Sequence, residues 1–162
     1  MTQYHLTKPE DSAAIFASLE HALKSNPHYL FAYALVLSKN NEYQQAIEKI
    51  EASQRYLSSY STYVELGRYY EKSGDMENAL KNWEIALHMI PNRFEPLYLQ
   101  IDTYHRNGRY LQADSLSALF LQKERKIDAI RIDLMMRDVK RWAKEREMQP
   151  NRHDASSDTL DE

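Results

Sequence analysis

Gly74 and Gly108 stand 34 residues apart, and Ala79 and Ala113 keep the same distance. Spacing that regular confines the chain to a repeated structural unit, because unrelated helices do not keep a common period. The unit is most complete from Tyr60 to Arg93, YSTYVELGRYYEKSGDMENALKNWEIALHMIPNR. Two amphipathic patterns meet there at Ser73-Gly74-Asp75, and Pro91 ends the second. Tyr63, Leu66, Gly67 and Tyr70 recur at the spacing of one helix face, and Ala79, Leu80, Trp83, Ala86 and Leu87 form the facing stripe. Glycine supplies the positive φ that a tight helix–helix turn needs, and Asp75 is placed to cap the next helix. Small residues (Gly67, Ala79, Ala86) alternate with large ones (Tyr70, Trp83), so two helices can approach closely.

These residues resemble the signature of the tetratricopeptide repeat (TPR): an aromatic at Tyr63, Leu66-Gly67, Tyr70, the turn Gly74-Asp75, then Ala79, Trp83, Ala86-Leu87 and Pro91. The resemblance implies an all-α chain, a short right-handed TPR superhelix (an α-α solenoid) of about three helical hairpins. A leading half-repeat and a C-terminal capping helix complete it.

The chain divides on this basis into a lead-in (1–6), a TPR domain (7–147) and an acidic tail (148–162) that reads as disordered. Within the domain, 7–25 reads as a half-repeat helix, with Thr7 and Glu10 as its capping box and Ile15, Phe16, Leu19, Ala22 and Leu23 on one face. Repeat 1 spans 27–59. Asn40-Asn41 replaces its Gly-Asp turn, Asn41 with Gln44 suggests a cap, and Tyr43, Ala46, Ile47 and Ile50 form a stripe. Ser53 stands where alanine is usual. Repeat 2 spans 60–93. Repeat 3 spans 94–124, capped by Asn92 and Glu95, with Leu97, Gln100, Ile101 and Tyr104 facing Tyr110, Ala113, Leu116 and Phe120. The stretch 125–147 has no repeat signature. Its apolar stripe (Ala129, Ile132, Met135, Met136, Val139, Trp142, Ala143) and opposed charges suit a helix that closes the array.

Chemistry finds little purchase. Without cysteine there is no disulfide, thiolate ligand or cysteine nucleophile. Three glycines, two of them hinge glycines, cannot build a phosphate-cradling loop. The six histidines are scattered, with no metal-like spacing, and the carboxylate pairs Glu48/Glu51 and Glu71/Asp75 read as solvated helix faces. No cofactor, metal or catalytic residue is expected. A formal net charge of −3 gives no reason to expect nucleic acid. The longest apolar run, Tyr29 to Leu37, is far short of the ~20 residues of a membrane span, and the polar stretch Met1 to Lys8 lacks the apolar core of a secretory leader.

Surface is what remains. In the TPR family the first helix of each unit lines a concave groove. The matching positions are His28, Phe31, Leu35 and Lys39 in the first unit, and Val64, Arg68, Glu71 and Lys72 in the second. In the third they are Glu95, Tyr98, Asp102, His105 and Arg106. Phe31, Val64 and Tyr98 would form an apolar strip flanked by Lys39, Arg68, Lys72 and Arg106, suited to a protein or peptide ligand with acidic and apolar side chains. The alternative is that the closing helix or the tail covers some of these positions. Tyr60 and Tyr69 are left over from the repeat core. Phe31, Leu35, Val64 and Glu95 occupy the places of the Lys/Asn/Arg set by which chaperone-binding TPRs clamp a terminal carboxylate, so that specificity is excluded.

A second, shorter resemblance involves Met89-Ile90-Pro91-Asn92-Arg93-Phe94-Glu95-Pro96-Leu97-Tyr98 and Lys126 to Ile130. They are similar to the soluble TPR tails of bacterial O-antigen ligase and polymerase membrane proteins. That resemblance implies an accessory domain in surface-polysaccharide assembly, at the cytoplasmic or periplasmic face of an inner membrane, with no insertion by this chain and no catalytic residue on it. A third reading is a self-associating scaffold, a homodimer formed through the half-repeat.

Overall fold

The computed structural model describes residues 9–125 and 129–148. Thr7, half of the expected capping box, and the tail from residue 149 lie outside them. The described residues form eight α-helices: α1 (Pro9–Leu23), α2 (Pro27–Lys39), α3 (Tyr43–Gln54), α4 (Tyr60–Lys72), α5 (Met76–Met89), α6 (Glu95–Arg106), α7 (Tyr110–Gln122) and α8 (Ile130–Met148). They are all-α hairpins in succession. Helix α1 packs on α2, α2 on α3 and α3 on α4, while α6 packs on α7 and both meet α8. The chain divides into two compact units, 1–82 and 83–162, with the division inside α5.

One device closes three hairpins. Asn41, Gly74 and Gly108 have φ of 63°, 90° and 71°. At each, the left-handed residue's N–H donates to the carbonyl three residues back: Asn41 to Ser38 (3.1 Å), Gly74 to Glu71 (3.1 Å), Gly108 to His105 (3.2 Å). The next N–H reaches five residues back: Glu42 to Leu37 (3.0 Å), Asp75 to Tyr70 (2.8 Å), Arg109 to Tyr104 (2.9 Å). This pair of bonds is the Schellman closure, which satisfies carbonyls that a helix end would otherwise leave open. Asparagine takes the left-handed place in the first hairpin because its short polar side chain tolerates αL. Asn41 therefore does not cap α3 with Gln44 as its sequence suggests. Its side chain accepts from the Tyr43 hydroxyl (2.7 Å), and α3 begins after Glu42 with no side-chain cap. Nor do Asn92 and Glu95 cap α6. Its N-cap is Phe94, again without a side-chain bond, and Pro96 sits in the opening turn, where a missing N–H costs nothing. Asp75 does cap α5, its carboxylate accepting from the Asn78 N–H (3.0 Å) and the Asn78 side chain (2.7 Å).

The core of unit 1 joins Tyr29, Leu30, Tyr33, Ala34 and Leu37 of α2 to Ala46, Ile47 and Ile50 of α3 and Leu66 and Tyr69 of α4. Ser53, the polar residue at an alanine place, is buried because its hydroxyl donates to the Pro27 carbonyl (2.9 Å). Tyr69, read as free for other work, is buried here too, and burial pushes its hydroxyl up to about 12 beside the Ser38 hydroxyl. Tyr70 also rises to about 12, through burial first and then its bond to Glu51 (2.7 Å).

Helix α1 meets this core with fewer residues than its pattern promised. Phe16 stacks on Tyr29 (5.5 Å) and Tyr33 (5.4 Å), and Leu23 packs beside them, but Ile15 is 55% exposed, Leu19 45%, and Ala22 is exposed too. Register explains it. Aligned by the closing prolines Pro27 and Pro91, Ile15, Leu19 and Ala22 stand where α5 has Ala79, Trp83 and Ala86, all fully buried. In α3 the corresponding residues, Ala46, Ile50 and Ser53, are buried too, and Ser53 bonds to Pro27 of α2, that hairpin's own first helix. No helix precedes α1 among the described residues.

The core of unit 2 gathers Phe94, Leu97 and Ile101 with Phe120 of α7 and Met135 and Val139 of α8. Phe94 meets Phe120 edge-on at 5.2 Å, which favours the ring quadrupoles.

Candidate partner-binding surface

Phe31, Val64 and Tyr98 each lie ten residues before a left-handed hinge residue, so they are one repeat position seen three times. Leu35, Arg68 and Asp102 are a second such set, and Lys39, Lys72 and Arg106 a third.

In unit 1, His28 and Lys39 are exposed at the two ends of α2. Between them Phe31 and Leu35 are half-buried, Phe31 leaning on the core. On α4, Val64 is only 3% exposed, whereas Phe31 at the same repeat position is half-buried. Arg68 is half-buried beside Glu65 (3.7 Å), Glu71 is half-buried, and Lys72 is exposed. The unit 1 surface is thus apolar at Phe31 and Leu35 and cationic at Lys39 and Lys72, with Arg68 paired to Glu65 between them.

In unit 2 the same positions hold the chain's own last helix. Trp142 of α8 stacks on Tyr98 (5.8 Å, 22° between planes) and on His105 (5.0 Å, 22°). The Tyr98 hydroxyl donates to Asp138 (3.3 Å), and Arg131 pairs with Glu95. Burial first, then Asp138 and Asp102, raises the Tyr98 hydroxyl above the usual tyrosine range. His105 also meets Tyr110 edge-on (5.7 Å), while Asp102 accepts from Arg106 (3.0 Å). Tyr98, Asp102, His105 and Arg106 are therefore brought together on α6, with Trp142 laid over Tyr98 and His105. Sequence reasoning placed Trp142 on the apolar stripe of α8 but did not name its targets. The signal was there: Tyr98 and His105 are seven residues apart, two turns along one face, with room between for a large ring.

Among the described residues no cluster of histidine, aspartate and glutamate is grouped to hold a metal ion, and no helix is long and apolar enough to cross a membrane.

No protein-family model matches the sequence, and no curated protein does. Solved structures do match in fold. The crystal structure of MamA superposes with a TM-score of 0.65 at 16% identity, over 71% of this chain and 68% of that one. The C-terminal part of a TPR repeat-containing protein from Cytophaga hutchinsonii superposes with a TM-score of 0.69 at 13% identity, over 89% of this chain and 57% of that one. At such identities what is shared is the fold, and the fold is that of the tetratricopeptide repeat.

Proposed function

We propose that the chain is a non-enzymatic protein-interaction module that holds a helix or extended peptide of a partner protein against the first-helix surface of its repeats. One observation carries the reading: α8 lies on α6 with Trp142 between Tyr98 and His105. That contact exemplifies what this repeat position accepts, an amphipathic helix anchored by an aromatic ring. Phe31 and Leu35 are the unit 1 counterparts of Tyr98 and Asp102, and Lys39 and Lys72 favour a ligand with carboxylates beside its apolar anchor. TPR folds generally serve protein–protein contact, which agrees with this reading.

The test is capture of partners from a native lysate by the tagged full chain, compared with a Leu35→Lys, Lys39→Glu, Lys72→Glu variant. Lys39 and Lys72 are exposed, so the fold should survive, and circular dichroism checks it. Loss of the captured proteins by the variant is the expected result. Equal capture would remove the unit 1 surface as the site.

Self-association is a second reading, favoured by the exposed Ile15 and Leu19 on a face that is buried in α5. A mass independent of concentration in light scattering, up to millimolar chain, would dismiss it. The accessory-tail reading rests only on the resemblance of 89–98 and 126–130.

A further inference from the structure

A cleft of about 700 Å³ opens between the end of α7 and the first half of α8. Among the described residues its apolar lining includes Leu121 and Met136, and its charged lining is Lys123, Arg125, Arg137 and Lys140 against a single carboxylate, Asp133. That carboxylate is already taken, since Arg125 donates to it at 2.8 Å. Lys123 is fixed in place. Its ammonium donates to the Pro91 carbonyl and lies over the Phe94 ring (5.8 Å), and burial lowers its pKa. Arg137 and Lys140 are exposed, one turn apart on α8, and make no ion pair or hydrogen bond among the described residues. A concentration of cations in a chain of net charge −3 is a local feature, not a reflection of overall composition.

We propose that this cleft is a second docking site, for an acidic segment of a partner protein carrying carboxylates on either side of an apolar side chain. The apolar anchor is seated on Leu121 and Met136, and the carboxylates meet Arg137, Lys140 and Lys123. The charge complementarity alone would also suit a nucleic-acid backbone, but the shape does not. The floor is apolar, and the neighbouring cleft along α7 and α8, which shares Leu121, carries two carboxylates, Asp114 and Glu147, against one cation, Arg146, which is already paired with Asp114 (3.6 Å). A phosphodiester chain running on from the basic end would meet those acids, whereas a short peptide stops before them. The site lies within unit 2 and uses none of the α2 or α4 residues.

The test is fluorescence anisotropy of the full chain with a fluorescein-labelled peptide of repeated Glu-Glu-Leu triplets at low salt. Two comparison probes are a Glu-Glu-Ser peptide of the same length and a single-stranded oligonucleotide of equal charge. Saturable binding of the leucine peptide is expected, tighter than either comparison probe. Arg137→Glu with Lys140→Glu should weaken it about tenfold or more, because two of the three cations that meet the carboxylates are reversed. Should that pair disturb the fold, Arg137→Gln with Lys140→Gln makes the same comparison with a smaller loss. The Leu35→Lys, Lys39→Glu, Lys72→Glu variant should bind the peptide as the natural chain does, which separates this site from the unit 1 surface. Three results would overturn the proposal: no saturable binding, binding undiminished in the folded Arg137/Lys140 variants, or an oligonucleotide bound as tightly as the leucine peptide.

Discussion

A left-handed residue turns the chain at Asn41, Gly74 and Gly108, and at Gly74 the requirement can be isolated. A side chain built there would meet nothing within 4 Å, so only the φ of 90° resists substitution. Gly74→Ala is expected to cost about 1–2 kcal/mol of stability, the ordinary penalty for αL in a residue with a Cβ. Gly74→Asn, which copies Asn41, should cost less. Chemical denaturation of the three proteins checks the order, and a Gly74→Ala variant as stable as the natural chain would break it. Asp75, the next residue, belongs to the same hinge. Hydrogen bonds from the Asn78 side chain and then the Asn78 backbone hold its carboxyl below the usual carboxylate range. Its contribution is therefore present above the ordinary carboxylate pKa and is lost as the pH falls through the lowered folded value. Asp75→Ala should cost about 1 kcal/mol at neutral pH, as the loss of an N-cap does. The gap between the two proteins should close in acid, and a gap constant from neutral to strongly acidic pH would contradict the cap. These hinges could be read in the sequence because glycine and asparagine are among the few residues that take a positive φ readily. The caps at Asn41 and Asn92 were misread because residue type alone does not say whether a side chain faces a helix N-terminus or a neighbouring hydroxyl.

At the scale of the element, helix α1 shows how far a periodic pattern reaches. Five apolar residues announce a helix, but they span more than one face, and spacing does not say which neighbours exist to cover them. Phe16 and Leu23 pack on the core that α2 carries, while Ile15, Leu19 and Ala22 are exposed. Phe16→Ala should destabilise unit 1 by about 2 kcal/mol or more, since it removes two ring contacts. Ile15→Lys should change stability by no more than about 0.5 kcal/mol, as substitutions on an exposed face usually do. Thermal unfolding distinguishes the two, and equal losses would mean that both faces of α1 are covered. Helix α8 was legible as an amphipathic closing helix. Its target was not, because its partners, Tyr98 and His105, lie 44 and 37 residues before Trp142 in the chain and no repeat position on α8 aligns it with them.

For the molecule as a whole, the repeat fold follows from a few residues at fixed spacing, and solved structures of very different sequence share it. The candidate surface was only partly legible. Register placed its thirteen residues at repeat positions, yet whether a position is open, buried or covered depends on elements distant in the chain. Val64 is buried where Phe31 is not, and Tyr98 is covered where Phe31 leans only on its own unit's core. The interaction reading therefore turns on α8 lying over α6. The most direct measurement is a proton NOE experiment on the full chain, assigned for the Trp142 indole. Cross-peaks from Trp142 to both the Tyr98 and the His105 rings are expected, in keeping with centroid separations of 5.8 and 5.0 Å. A Trp142 indole with no cross-peak to either ring would contradict the placement of α8, and with it the inference that this repeat surface holds helices.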